Sequence, residues 1–543
     1  MPKQDITLTD EQWFALPLPE RLYIVRSLDL HRPIDKMSLH YLLKAAQDPH
    51  PELHTLVLQT LQRLGSTTDN VIDLLSYAHQ QDLQGAQGQL LQIWTLCWET
   101  LPNLLPALLD HFRFQSLREE SHTPNDFSLL LGAIGTLAPP LLEAMLQLLH
   151  NQREHDKIRI RAACVLAYIQ QPEAIYAMLS ALHGDEQGVR SGVAAALRFI
   201  QHPDTQVLQA LCETLHSGTT FAERSNAARA LGEYGPQAHD ALPYLHQALH
   251  DTNPEVRRNA AWAIGTMELE RYTHIDVESL VTSLDLLLQN EREQVSKNAA
   301  WSLGTIGQRA YLALPGLQQA LGSPFKGLRL NAALALGRIG QAARLSIPSL
   351  LQTLHDPDTQ VRGNVAWALG RIGISSPEVL DALQGALQDH ATSVQMEAAT
   401  ALIRLHATAQ LPILAVLSSL AFHVGQFKQH IEQQKMSLAA IAAEDLSMTA
   451  KALQEKTAQL LFQTTHPPNS PQHETREQLL RDIQTHTKHI LHLWTQYLRE
   501  SKNTHIGVTE ESTQALQALH NLLLEDVLTR WQHTFEEGLF DAN

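Results

Sequence analysis

The chain has 543 residues, 44% of them apolar and 18% charged, a composition that can fill a packed interior and excludes wholesale disorder. Acidic residues outnumber basic ones by 57 to 40, and the formal net charge of −17 argues against unspecific attraction to phosphate backbones. Nucleic acid is therefore a disfavoured partner.

The chain opens Met1-Pro-Lys-Gln-Asp-Ile-Thr7, which is polar and lacks the apolar core of a signal peptide, so a cytoplasmic location is the default expectation. The stretch from Asp48 to Gly65 looks like a degenerate copy of a helical repeat, and Phe127 to Gly135 like another. Residues 1–150 are expected to continue or cap the array that follows.

That array is written in four clear phrases beginning at Val256, Val295, Leu328 and Val361, each running through an Asn, a pair of small residues and a Gly, as in Val256-Arg-Arg-Asn-Ala-Ala-Trp-Ala-Ile-Gly265. Aligning first residues extends the series to Ile158, Val189, Glu223, Val256, Val295, Leu328, Val361 and Val394, at steps of 31, 34, 33, 39, 33, 33 and 33 residues. Recurrence on this scale means stacked units, each contacting mainly its neighbours. Counting the first residue as step 0, apolar or small residues fall at steps 0, 4, 7, 8 and 11, which is one side of a helix. Upstream lies a second helical segment begun by proline at Pro243, Pro315 or Pro348; proline suits a first turn, where its missing N–H has no intrahelical partner. The unit is a helical hairpin. Its paired alanines allow close helix approach, and the glycine at step 9 is expected to end or loosen the inner helix.

Asp-x(5)-Arg-x-Asn-Ala-Ala-x-Ala-Leu-Gly-x-Ile-Gly, clearest from Asp356 to Gly373, closely resembles the short HEAT-like repeats first associated with phycobilisome lyases. The resemblance covers roughly residues 150–405 and implies an all-α fold: a right-handed α-solenoid of HEAT-like hairpins over residues 151–408. Repeats of this class serve many functions.

Past residue 408 the phrase stops while helical periodicity persists over 411–434, 436–464, 475–500 and 511–537, with His466-Pro-Pro-Asn-Ser-Pro-Gln-His473 as a linker. Residues 409–543 are expected to form a C-terminal helical bundle. The apolar run from Leu411 to Val424 is too short to cross a bilayer, and no membrane partner is expected. Cys97, Cys164 and Cys212 are far apart and read as buried free thiols of a reducing compartment.

Placing steps 0, 4 and 8 in the core turns steps 2, 6 and 9 to the opposite surface, the one that usually lines the concave groove of a solenoid. Step 6 supplies Trp262, Trp301 and Trp367, step 2 supplies Arg258 and Lys297, and step 10 supplies Arg338 and Arg371. Large aromatics with arginine dominate interaction hot spots, so these residues are the candidate partner-binding row. The competing reading has the tryptophans wedged between repeats. The step-3 asparagines, Asn259, Asn298, Asn331 and Asn364, with Asn226, suit a structural amide bridge, with a peptide-backbone clamp as the functional alternative. The pairs Asp251/Arg257 and Asp356/Arg362 read as a structural ladder. The step of 39 residues places six extra residues (39 − 33) around Met267 to Glu278, an insertion whose Arg271-Tyr-Thr-His274 is a candidate lip.

Enzyme readings are weaker. HEAT-like deoxyhypusine hydroxylases hold two irons with His-Glu pairs at steps 2 and 3, where this chain has Arg-Asn, Lys-Asn, Leu-Asn, Gly-Asn and Met-Glu. His246 and His250 lack the glutamate a zincin needs, and His486, His489 and His492 have no carboxylate beside them. No catalytic residue, metal ligand or cofactor is assigned. The sequence leads to a non-enzymatic scaffold or adaptor that binds a protein in the solenoid groove, with a possible second contact through the C-terminal helices. A bilin lyase-like chromophore-handling protein is the alternative that the resemblance implies, and a HEAT-like DNA glycosylase a more distant one.

Overall fold

The computed structural model describes residues 8–63, 67–83, 104–118, 126–269, 276–289, 292–407, 411–432 and 436–463, apart from 9, 29–35, 137 and 412, together with 481 and 485. The Arg271–His274 lip, Cys97, the 466–473 linker, the two stretches beyond 475 and the histidines 486, 489 and 492 lie outside the described residues. Every element in the described part is helical. The chain divides into two compact units, Met1–Met267 and Glu268–Asn543.

In the first unit, helices from Asp10–Ala15 to Pro139–His150 precede the repeats. The two degenerate copies form the helices Pro51–Arg63 and Asp126–Gly135. Asp48 is fully buried there, and its carboxylate accepts from the Trp13 indole at 3.2 Å, from the Arg21 guanidinium and from the His50 amide at 3.1 Å. A buried carboxylate with three donors is stable where an unpaired one would not be. The inner helices Asp156–Ile169, Gln187–Leu197, Phe221–Tyr234 and Pro254–Thr266 then stack in order.

In the second unit the inner helices Glu293–Ile306, Lys326–Ile339, Thr359–Ile372 and Thr392–Arg404 stack in the same way. Two long helices, Ile413–Glu432 and Met436–Gln463, pack against each other after them and match the expected stretches 411–434 and 436–464.

Local chemistry sets the ends of each inner helix. Thr220, Asn253 and Asp358 each accept a backbone N–H of the first turn through their side chains, the N-cap role that short polar residues fill best. The other end corrects the sequence reading. The glycine at step 9 does not end the helix: Gly232, Gly304, Gly337 and Gly370 are buried inside it, and a Cβ on Gly337 would lie 2.9 Å from Cα of Ala368 in the next inner helix. Outside Gln187–Leu197, which ends earlier, the chain turns at step 12. All seven positive-φ residues among those described, Gln170, Gly235, Glu268, Gly307, Gly340, Gly373 and His406, sit at that step, so the chain reverses in the left-handed region that glycine enters without steric cost. At Gly235–Ala241, Gly307–Ala313 and Gly340–Ser346 a 3-10 turn follows, and only then the proline-led outer helix.

Two ladders tie repeat to repeat. The asparagine amides reach back one repeat: Asn226 to the Ser191 carbonyl at 2.9 Å, Asn259 to Ser225 at 3.1 Å, Asn331 to Lys297 at 2.8 Å and Asn364 to Leu330 at 3.4 Å. The arginines at step 1 make the second ladder, with a register that the sequence did not show. Arg257 and Arg362 donate to the backbone carbonyls of Asp251 and Asp356, each at 2.8 Å, while the carboxylates of those aspartates are held by the preceding repeat's Arg224 and Arg329 at 2.6 and 2.7 Å. Arg362 passes the pattern on to Asp389 at 2.7 Å. Arg224, Arg329 and Arg362 therefore each tie their own loop to the next one through a forked guanidinium. Hydrogen bonding from Arg362 holds the Asp389 carboxyl below its usual range, and the same contact raises the Arg362 pKa. Glu223 occupies an apolar slot, buried, and is satisfied there by Arg190 at 3.0 Å and by the Thr219 amide at 3.1 Å.

Candidate interaction row on the inner helices

Burial along the four inner helices from Pro254–Thr266 to Thr359–Ile372 leaves a line of half-buried side chains. In Pro254–Thr266 the residues at steps 0, 4, 5, 7, 8 and 9 are buried, whereas Arg258, Trp262 and Thr266 at steps 2, 6 and 10 are half-buried. Lys297, Trp301 and Thr305 repeat the pattern, as do Leu330, Leu334 and Arg338. In Thr359–Ile372 the line narrows to Trp367 and Arg371, because step 2 is the buried Gly363. The exposed line thus follows steps 2, 6 and 10; step 9, expected on this surface, is the buried glycine.

The tryptophans combine the two competing sequence readings. The Cζ3 edge of Trp367 lies over Gly337, where a Cβ would stand 2.5 Å away, and Trp262 covers Gly232 in the same manner. Each of these indoles is wedged against a glycine of the preceding inner helix, and its remaining edge stays open to solvent. The glycine at step 9 and the tryptophan at step 6 of the following repeat are therefore one packing device.

The cations differ among themselves. Arg258 is tied to Glu255 at 2.7 Å within its own helix, with a third of its side chain exposed. Lys297 lays its aliphatic stem over Gly327, and its ammonium has no hydrogen-bond or ion-pair partner among the described residues. Arg338 is half-buried. Arg371 lies 5.8 Å from the centre of the Trp367 ring, within cation–π range, and meets Glu444 of the Met436–Gln463 helix at 2.7 Å. The asparagines stand apart from the row. Asn259 and Asn331 are buried and, with Asn364, hold backbone carbonyls of the preceding repeat, while Asn298 is half-buried.

The sequence reading missed Arg404, the next step-10 residue after Arg371 by the same 33-residue spacing (404 − 371). It meets Glu444 at 3.1 Å and also pairs with Asp445. Beneath it lie Glu397, at the step where other repeats carry asparagine, and Thr400, bonded to Ser419 at 2.6 Å and to His423 at 2.8 Å. Burial, reinforced by Asp445, pushes the Glu397 carboxyl up to about 8, and burial pushes the His423 imidazole down to about 4. Nothing in the sequence marked Glu444 and Asp445, because their role depends on how the terminal hairpin folds back.

Comparison with known proteins fits this anatomy. Residues 142–224, 208–285 and 347–419 match the sequence profile of HEAT repeats. These are HEAT repeats. Among curated proteins none matches the chain. Yeast importin-β (Kap95p) is similar in structure at 15% identity and a TM-score of 0.50, covering 96% of this chain and 75% of its own. An engineered protein covers 71% of this chain and 99% of its own at 20% identity and a TM-score of 0.40. The CpcE–CpcF complex of phycocyanin lyase from Nostoc covers 42% of this chain and 86% of its own, at 23% identity and a TM-score of 0.28. At these identities the likeness concerns the fold alone. Among the described residues no helix is long and apolar enough to cross a membrane.

Proposed function

We propose that the chain is a non-enzymatic scaffold whose HEAT-repeat inner helices bind a protein segment along the line of steps 2, 6 and 10. The observation that carries this reading is the recurrence, on the inner helices Glu293–Ile306, Lys326–Ile339 and Thr359–Ile372 of the second unit, of a half-buried indole or aliphatic side chain flanked by cations, an arrangement that Pro254–Thr266 of the first unit also carries. An indole anchored on a glycine is rigid, so contact with its open edge costs little ordering entropy, and adjacent cations supply direction. Arg258 and Trp262 are the proposed contacts of the first unit, and Lys297, Trp301, Arg338, Trp367 and Arg371 those of the second. The bridging asparagines serve to hold these residues in register.

The test compares proteins captured from the native cells by tagged wild type and by a Trp262→Leu, Trp301→Leu, Trp367→Leu variant, with thermal melts run in parallel. Leucine keeps an apolar side chain at each position, against Gly232 and Gly337 at two of them, and removes the indole edge. A partner lost by a variant that still melts cooperatively supports the proposal. A partner retained at equal affinity removes the row from the binding function.

A further inference from the structure

The cationic end of the row is already occupied by the chain itself. Arg371 and Arg404 belong to the inner helices of two successive repeats, Thr359–Ile372 and Thr392–Arg404. Among the described residues, their ion pairs go only to Glu444 and Asp445 of the Met436–Gln463 helix: Glu444 bridges both arginines at 2.7 and 3.1 Å, and Asp445 takes the second side of Arg404. A helix that merely capped the stack would meet the last repeat alone, since each unit of a solenoid contacts its neighbours. Glu444 instead reaches the repeat before the last, so this helix lies across the exposed line of steps 6 and 10.

The contact has the character of a ligand held in a site. Two carboxylates on consecutive residues meet two arginines placed 33 positions apart, and Trp367 stands beside Arg371. Glu444 is 53% exposed, and ion pairs so placed in solvent are individually weak. Although burial alone would raise its pKa, Arg371 and Arg404 hold Glu444 below the usual glutamate range, so it is charged at neutral pH. The underside of the contact is costly: Glu397 has a buried Oε2 with no hydrogen-bond partner, close enough to feel the charge of Asp445. Asp445 is itself buried against Arg404, while further along the helix Ala450 and Leu453 are buried in the hairpin, so exchange of the acidic pair requires the first turns of the helix to move and leaves the rest of the hairpin packed.

We infer that Glu444 and Asp445 are an internal stand-in for the row's partner, and that the Arg371–Arg404 end of the row receives an acidic protein segment presenting adjacent carboxylates, which displaces them. This rests on the reading of the inner-helix row as a binding surface, and it specifies the chemistry of what binds there. The clasp sets a threshold. If it is closed nine-tenths of the time, the apparent affinity for such a segment falls about tenfold.

The probe is a fluorescein-labelled peptide of residues 439–456, titrated by fluorescence anisotropy into the full chain and into its Glu444→Gln, Asp445→Asn variant. Expected is binding to the variant about tenfold tighter than to wild type, and loss of binding when the peptide itself carries the same two substitutions. Hydrogen exchange gives an independent readout: peptide added to wild type should speed amide exchange in the first turns of the Met436–Gln463 helix. Equal affinity for both proteins, or affinity unaltered by neutralising the peptide, overturns the inference. If the double variant melts low, Glu444→Gln alone, at an exposed side chain, carries the same comparison. The outcome separates from the broader proposal: a partner lost with the tryptophan-to-leucine variant but bound equally by wild type and the clasp variant refutes the stand-in and leaves the row intact.

Discussion

Gly337→Ala tests whether the row is built as described. Alanine in a helix interior is ordinarily preferred over glycine by about 1 kcal/mol, so without contacts the substitution would stabilise the protein. Here the new Cβ would lie 2.5 Å from Cζ3 and 2.8 Å from Cε3 of Trp367, and 2.9 Å from Cα of Ala368. Carbon atoms prefer separations of about 3.5–4.0 Å, so either the indole swings or the two inner helices part, and overpacking of this kind costs about 1–3 kcal/mol. The clash outweighs the propensity. A net loss of up to about 2 kcal/mol is expected, or as much as a few degrees in melting temperature for a unit of this size, read by calorimetry or circular dichroism. Gly385, with nothing within 4 Å of its Cβ position, is the internal control: Gly385→Ala should stabilise by about 0.5–1 kcal/mol. Combining Gly337→Ala with Trp367→Leu should recover part of the loss, because the ring contact is relieved while the Ala368 backbone remains. A Gly337→Ala protein melting at or above wild type, with no coupling to position 367, would refute the wedge and with it the rigidity claimed for the row.

Removing the carboxylate of Asp356 should cost about 2–4 kcal/mol, since Asp356→Ala breaks the forked contact with Arg329 at 2.7 and 3.0 Å and frees the Asp358 amide; urea unfolding measures it, and a loss below about 0.5 kcal/mol would dismiss the ladder as decoration. The terminal clasp gives a pH signature. Glu397, raised from 4.5 to about 8, keeps a proton in the native state that the unfolded chain has lost, so stability falls as pH rises across that window, by about 1.4 kcal/mol per unit. His423, lowered from 6.5 to about 4, acts in the opposite sense between those two values, because there the unfolded chain binds the extra proton. The two trends offset between about pH 4.5 and 6.5, and of the two the Glu397 slope alone remains from 6.5 to about 8. Glu397→Gln should abolish the decline in melting temperature over that range, and an unchanged decline would place its cause elsewhere.

The repeat was legible because its information is local and written many times. Period, inner-helix register, the core positions and the step-3 asparagines all follow from one phrase read against the turn of a helix. Trp262, Trp301 and Trp367 could be placed on the exposed line by the same argument, and Arg404 was available to it by one more step of 33. Other features depend on distances between residues of different repeats, which a pattern within one repeat does not contain. The step-9 glycine reads as a helix end in one dimension, yet the actual stop is three residues later, and the glycine is required by a neighbouring backbone 2.9 Å from where its Cβ would be. Asp356 and Arg362 are close in sequence, but tertiary packing gives the carboxylate to Arg329 and leaves Arg362 the backbone carbonyl. The pairing of Glu444 and Asp445 with Arg371 and Arg404 was the least accessible, for it joins residues 40 and 73 positions apart through the fold-back of a hairpin that carries no repeat phrase. Sequence by itself determined the unit and its recurrence; packing between units decided which side chains pair, which indole edges stay open, and that the cationic end of the row is covered from within the chain.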